Sequence, residues 1–372
     1  MAALHGGYIA RRPGRNEPVT PRHHTSRVRI SIRWIAASAS LVLVTALAIA
    51  VYPLVTGKGG LDLILPSTDS QASLPAAGPA APEFTGIVDW ENSPPLTIAS
   101  LRGKVVLVDF WTYSCINCQR TIPYVRRWWD KYRSSGLVIV GVHSPEFDFE
   151  KNVDNIRRAI KDYGVRWPVA VDSNMATWNA YGNQYWPAEY LIDKTGRVRH
   201  THFGEGEYDV TERAIQALLA EGGTPAPTAL VSADPGITAD ASAQTRETYA
   251  GSARGDGSIR LTGAWAVRPE YAELTSATGA AYAEIAYQAR RVFMVAAPSS
   301  GPVTAWITLD GRSLTTGQAG NAIKFDASGH SYLVVDHDDL YALVALPDFR
   351  LHVLRVSPVQ AGFQLFTFTF GS

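Results

Sequence analysis

Cys115 and Cys118 are the only cysteines in a chain of 372 residues, and two residues separate them. That spacing leaves each sulfur within attacking reach of the other. Such a pair can close a disulfide, open it, and trade it with a second molecule. As a structural staple the pair would be poor, because closing a four-residue loop removes only roughly 2 kcal/mol of unfolded-state freedom. As half of a zinc site it lacks company, since the sequence holds no second C-x-x-C and no H-x-x-x-H. Dithiol–disulfide chemistry is the use that these residues favour.

The elements on either side must position the pair. The apolar, β-rich run Val105–Phe110 feeds directly towards Cys115. An amphipathic helix over Cys118–Tyr132 follows, with Ile122, Val125, Trp128, Trp129 and Tyr132 at helical spacing. Cys115 then falls at a helix N-terminus. Unpaired N–H groups and the positive end of the helix dipole stabilise a thiolate there.

Lys+Arg and Asp+Glu are both 34, so charge gives no argument for a nucleic-acid partner. The composition, 46% hydrophobic and 18% charged, is that of a globular chain. Two closely spaced cysteines do not make a disulfide scaffold.

Residues 1–33 carry Arg11, Arg12, Arg15, Arg22, Arg27, Arg29 and Arg33 against the single acid Glu17, and read as a basic cytoplasmic tail. Residues 34–55 are apolar and uncharged over the roughly twenty residues that a membrane core needs. Trp34 and Tyr52 stand near the ends of that run, where interfacial aromatics belong. The arginines before it place the N-terminus in the cytoplasm and the rest of the chain outside. Ala46-x-Ala48 and Ala48-x-Ala50 resemble cleavage sites, but the long basic segment favours an uncleaved transmembrane anchor. Arg11-Arg12 lacks the apolar residues that should follow a twin-arginine signal. The expected location is the cell membrane, single-pass, with the catalytic domain extracytoplasmic. No glutathione pool reaches a dithiol there, so a dedicated partner must keep it reduced, or it works as an oxidant.

Residues 56–83 are rich in Gly, Ser, Pro and Ala and read as a flexible linker. Residues 84–223 alternate strand and helix patterns, which implies an α/β domain. Its further strands are expected at Leu137–His143 and Pro168–Val171, with a hairpin of Glu189–Asp193 and Arg197–Phe203. Its further helices are marked by Phe149, Val153, Ile156 and Ile160, by Met175–Tyr181, and by Val210–Leu219. Residues 224–244 form a second linker. From 245 to 372 the pattern becomes short alternating strands, among them Ser258–Val267, Val303–Leu309 and Phe363–Phe370, with turn signals at Asp310-Gly311 and Ser328-Gly329. This predicts an all-β sandwich of jelly-roll or carbohydrate-binding-module type.

The segment V-D-F-W-T-Y-S-C-I-N-C resembles the active-site segment of the thioredoxin superfamily. Asp109 lies six residues before Cys115, where thioredoxins keep a buried acid. Trp111 matches their tryptophan, Pro123 the proline of their active-site helix, and Pro187 the cis-proline beside the disulfide. The distance from Cys118 to Pro187 suits the longer TlpA/ResA-like members. Segments W-T-Y-x-C-I-N-C at Trp111–Cys118, G-V-H-S-P-E-F at Gly141–Phe147, E-T-Y-x-G at Glu247–Gly251 and F-T-F-G at Phe368–Gly371 are similar to those of DipZ-type thiol–disulfide proteins. The resemblance covers about residues 84–372 and implies a thioredoxin-like domain followed by a β-domain. DipZ-type proteins also carry a multi-helix CcdA-like membrane domain, whereas this chain shows one expected anchor, so the electron donor would be a separate CcdA-like membrane protein. ResA-like proteins place an acid three positions after the second cysteine, and Thr121 stands there.

The resemblance implies a thiol–disulfide oxidoreductase acting on protein disulfides, with the Cys115–Cys118 disulfide as its redox centre and no other cofactor. Cys115 attacks a substrate disulfide and Cys118 resolves the mixed disulfide. Asp109 exchanges protons with Cys118, since a buried carboxyl has a raised pKa. Pro187, with Trp186 and Trp111, shapes the substrate groove, where a cis X-Pro bond exposes backbone groups to an extended substrate. His143 and Glu146 follow a strand whose end faces the cysteines, and are candidate substrate contacts or loop caps.

Two other functions compete. Peroxiredoxins use P-x-x-x-T-x-x-C. Thr112 holds the threonine position, but Val108 replaces the proline. A cell-envelope binding protein with a secondary redox domain is the other. Trp265, Trp306, Tyr282 and Tyr287 could stack on glycan rings, although core packing accounts for them as well. Arg254-Gly255-Asp256 reads as a turn, and Asp336-His337-Asp338-Asp339 as a solvated turn without calcium-loop spacing.

Overall fold

Six strands build the sheet that carries the cysteines, and their sequences explain their order. β1 spans Asp89–Glu91, β2 Val105–Trp111, β3 Leu137–His143, β4 Val169–Val171, β5 Ala188–Ile192 and β6 Val198–Phe203, in the spatial order β1-β4-β3-β2-β5-β6. β2 and β3 are the central parallel pair, as their near-continuous apolar runs require, because both of their faces are covered. β5 and β6 form the expected antiparallel hairpin beside β2. This is the computed structural model of the chain, and it describes residues 74–75, 78–221, 227–231 and 244–371. The basic tail, the expected span 34–55, and most of the two linkers lie outside the described residues. Among those described, no helix is long and apolar enough to cross a membrane.

Four α-helices cover the sheet: α1 Ile116–Tyr132, α2 Val153–Asp162, α3 Ala176–Ala180 and α4 Tyr208–Glu221. Alternation along the strands splits the core in two. Leu107, Ile139, Val169 and Leu191 pack with Ile122 and Val125 of α1, Ile156 of α2 and Ile215 of α4. Val108, Phe110, Val142 and Ile192 pack on the other face with Trp178 of α3. The first linker is shorter than its composition suggested. The amide of Ala81 donates to the carbonyl of Gly196, and that of Val198 to the carbonyl of Pro79, so the folded domain reaches back at least to Gly78.

The C-terminal region is all-β. One sheet runs through β17 (Asp339–Ala345), β12 (Arg291–Pro298), β19 (Phe363–Gly371), β10 (Ala272–Ser276) and β9 (Ala264–Val267), with β7 (Thr248–Tyr249) also paired to β19. The other runs through β15 (Lys324–Phe325), β16 (Ser331–Val335), β13 (Val303–Leu309), β18 (Leu351–Pro358), β11 (Tyr282–Gln288) and β8 (Arg260–Thr262), with β14 (Arg312–Ser313) paired to β13. Met294, Leu365 and Phe368 from the first sheet share one core with Ile285, Ile307 and Val356 from the second. The expected strand Ser258–Val267 is two strands in different sheets. Gly263 sits between them at φ 100°, a left-handed value that favours glycine.

The two regions pack as one compact unit. Phe147 and Phe149 of the first lie against Phe366 of the second, with ring centroids 5.1 and 4.8 Å away. The Tyr113 hydroxyl donates to Asp338 Oδ2 at 2.6 Å, and Asn155 Nδ2 donates to the same oxygen at 2.8 Å. Asp338 is therefore a link between the two regions and not part of a solvated turn.

Candidate active site

The site is built where β2 hands over to α1. Cys115 has extended backbone geometry, φ −85° and ψ 116°, and is the N-cap of α1. Its sulfur accepts the backbone N–H of Cys118 at 3.5 Å, which takes up one of the unpaired donors at the helix start. The approach loop is held from several sides. Gln119 Nε2 and the Tyr163 hydroxyl both donate to the Tyr113 carbonyl, at 2.8 and 3.1 Å. Ser114 donates its N–H and hydroxyl to Glu150 Oε1, at 3.2 and 2.7 Å. The other oxygen of Glu150 accepts the backbone N–H groups of Glu146 and Phe147, at 2.6 and 3.0 Å. Burial still raises the Glu150 carboxyl to about 7, against the opposing pull of those bonds.

The two thiols occupy different environments, and both are free in this structure. Cys115 is half-buried and lines a pocket of about 310 Å³ together with Glu146, Trp186, Glu247, Tyr249 and Arg254. Cys118 is 1% exposed. Desolvation, reinforced by its bond to Cys115, pushes its thiol well above the ordinary value. Asp109 is buried on β2 and raised by desolvation to about 7. A carboxyl poised near neutrality can both take and return the proton that a buried thiol must lose before it attacks.

The other expected residues divide. Pro187 is buried and follows a cis peptide bond from Trp186. The Cys115 thiol faces the Trp186 carbonyl at 3.9 Å, and the Trp186 indole N–H donates to the Ser144 carbonyl at 2.9 Å. Glu146 lines the pocket and is bridged by Arg254 at 2.7 Å and the Tyr249 hydroxyl at 2.8 Å. Trp111 and His143 do not line it. Both are buried, 2% and 0% exposed, with their rings packed edge to face at 5.1 Å. Desolvation pushes His143 down to about 3, so it is a neutral interior side chain. The Thr112 hydroxyl is also buried, 3.4 Å from His143 Nε2, and turned into this interior. Among the described residues no group of His, Cys, Asp and Glu is arranged to hold a metal ion.

Residue types alone did not reveal the far wall of the pocket. Glu247, Tyr249 and Arg254 come from the β-domain, and Arg254 does more than fill a turn: its guanidinium lies over the Tyr249 ring at 3.9 Å. The available signal was the E-T-Y-x-G segment, which carries two of the three.

A thioredoxin-like sheet with a C-x-x-C at the N-terminus of its first long helix, and a cis-proline beside it, defines a thioredoxin-type redox protein. Residues 77–201 match the AhpC/TSA family, and residues 233–371 match the thioredoxin like C-terminal domain. The chain belongs to the TlpA/ResA/DipZ-like branch of the thioredoxin superfamily. The thiol-disulfide oxidoreductase YkuV of Bacillus subtilis is 33% identical over 140 residues, covering 38% of this chain and 94% of YkuV. The thiol-disulfide oxidoreductase ResA of Bacillus thuringiensis is 30% identical over 141 residues, covering 38% of this chain and 78% of ResA. Protein DipZ of Mycobacterium bovis is 39% identical over 332 residues, covering 82% of this chain and 44% of DipZ. The chain thus spans less than half the length of the DipZ proteins it matches.

Proposed function

We propose that the chain is a membrane-anchored thiol–disulfide oxidoreductase that reduces disulfides of extracytoplasmic proteins. The Cys115 thiolate attacks a substrate disulfide and forms a mixed disulfide, releasing one substrate thiolate. Cys118 then gives its proton to Asp109 and attacks the Cys115 sulfur. The second substrate thiolate leaves, and Cys115–Cys118 is left oxidised. The observation that carries this reading is the inequality of the two thiols. One caps a helix and lines a pocket, and the other is buried behind it beside an acid raised to about 7. Trp186, Pro187 and Glu146 form the substrate side. The burial of Thr112 favours exchange over peroxide chemistry.

The wider layout is supported by the basic and apolar composition of residues 1–55 and, for the electron donor, by the resemblance to DipZ-type proteins. Residues 34–55 anchor the chain with its N-terminus in the cytoplasm, the residues between that anchor and Gly78 and those of 224–244 act as linkers, and a separate CcdA-like membrane protein returns the electrons. The test is reduction of insulin disulfides by the full chain with dithiothreitol as donor. Wild type should accelerate it and Cys115→Ser should abolish the acceleration. A reduction potential near the thioredoxin value of about −270 mV agrees with a reductase, and one near −120 mV would make the chain an oxidant.

A further inference from the structure

Asp109, Glu189 and His202 stand in one row across three strands. Asp109 on β2 is the register partner of Glu189 on β5, and Glu189 is the register partner of His202 on β6. Residues directly opposite in antiparallel strands project from the same face, with Cβ atoms about 5 Å apart. This face also packs Cys118 of α1 and Ile215 of α4. The two acids are 2% and 1% exposed. Desolvation raises Glu189 to about 8, and the Asp109 charge adds to the effect.

The row is polar where a core should be dry. Asp109 Oδ1, both carboxyl oxygens of Glu189 and Nε2 of His202 are all buried without a hydrogen-bond partner. Leaving such atoms unpaired costs free energy, and structural polar groups are normally satisfied. The inner end meets Cys118, on which the Asp109 charge acts. At the outer end, His202 Nδ1 lies 3.5 Å from a carboxylate oxygen of the exposed Glu207. The other groups facing the row are Thr211 of α4, whose hydroxyl opposes the rise of Glu189 without reaching it within normal hydrogen-bond geometry, and His200 of β6, 3.2 Å from the Thr211 hydroxyl.

We propose that Asp109, Glu189 and His202 form a proton path between the buried Cys118 thiol and solvent, with Glu189 as its middle member. The path rests on the exchange reading and concerns its resolving step. There the S–H bond of Cys118 breaks and its sulfur bonds to Cys115. The electron pair of the Cys115–substrate bond leaves on the substrate sulfur as a thiolate. The proton passes to the Asp109 carboxylate. Glu189 hands its own proton to His202 and takes the one on Asp109, and His202 discharges beside Glu207. Both carboxyls end in the state in which they began. Glu189 acts through Asp109 and is a positioning residue for the proton, not a catalytic residue.

The test uses the full chain, reduced and mixed with glutathione disulfide between about pH 5 and about pH 9, with acid quenching. Mass spectrometry separates the glutathione adduct on Cys115 from the Cys115–Cys118 disulfide, so attack and resolution are timed apart. Glu189→Gln should slow resolution about tenfold, flatten its pH profile, and leave attack unchanged. Glu189→Asp should restore the profile. His202→Gln, at the half-buried end of the row, should move the profile in the same direction and carries the test if Glu189→Gln does not fold. Resolution by Glu189→Gln at the wild-type rate and pH profile overturns the path. Equal slowing of attack and resolution also overturns it. If the wild-type chain forms neither the glutathione adduct nor the Cys115–Cys118 disulfide, the exchange reading falls and takes the path with it.

Discussion

The two folded regions bury different things. In the redox region Asp109, His143, Glu150, Asp172, Glu189 and Glu212 are all 2% exposed or less. In the β-domain His352 is the comparable case among the described residues, and its Nδ1 faces Asp310 Oδ2 at 2.8 Å. The β-domain core is otherwise a sheet-to-sheet contact of Val, Ile, Leu, Met, Phe and Ala with two buried tyrosines, Tyr287 and Tyr341. Ionisable groups cost free energy when buried. Here Glu150, Asp172 and Glu212 are each held by hydrogen bonds, to Ser114 and the Glu146–Phe147 backbone, to Ser144 and the backbone of Thr177 and Trp178, and to Tyr132 and Val231. Asp109 Oδ1 and Glu189 have no such partner among the described residues. The β-domain supplies the other half of the arrangement from its rim. Phe366 closes the interface, Asp338 holds Tyr113 two residues before Cys115, and Arg254 holds Glu146 in the pocket.

That division can be broken at three points of decreasing weight. Phe366→Ala empties the seam against Phe147 and Phe149, and should cost about 3–5 kcal/mol in denaturant unfolding. A single transition should then separate into two if the seam is what joins the regions. Glu150→Gln puts an amide N–H opposite either Ser114 or the N–H groups of Glu146 and Phe147. It should cost about 1–3 kcal/mol and speed alkylation of Cys115 by iodoacetamide as the loop loosens. Arg254→Ala removes an ion pair whose arginine is 38% exposed, so stability should fall by less than about 1 kcal/mol. Its larger effect should be a weaker KM for disulfide substrates, because Glu146 loses its one cationic partner inside the pocket and keeps only the Tyr249 hydroxyl. An unchanged KM would mean that the β-domain wall does not meet the substrate.

The sheet of the redox region was readable because its central strands are apolar without interruption, as in V-V-L-V at 105–108. The thiol pair was readable because strand, C-x-x-C and amphipathic helix follow in sequence. β1 was missed because D-W-E is a polar edge strand with no periodicity, and β10 because A-E-L-T-S alternates weakly. The buried acids were missed for a shared reason. Glu150 in E-F-D-F-E reads as solvated charge, and only its distant partner Ser114 shows otherwise. Glu189 carried a signal, one acid inside the apolar strand A-E-Y-L-I, but its meaning depends on which residues stand opposite. Those are Asp109 and His202, 80 and 13 positions away in the chain. His143 followed the rule that strand ends face the site and Trp111 followed the thioredoxin resemblance, yet both side chains are buried in the core.

In the proposed exchange Cys115 attacks and Cys118 resolves. The direct measurement is to express full-length Cys118→Ser, trap thiols in acid, and identify by mass spectrometry what is bound to Cys115. Extracytoplasmic proteins should be found in mixed disulfides with Cys115, and these should disappear in the Cys115→Ser, Cys118→Ser double variant. A Cys118→Ser chain that carries no protein adduct, in cells where the wild type cycles between dithiol and disulfide, would contradict the proposed exchange.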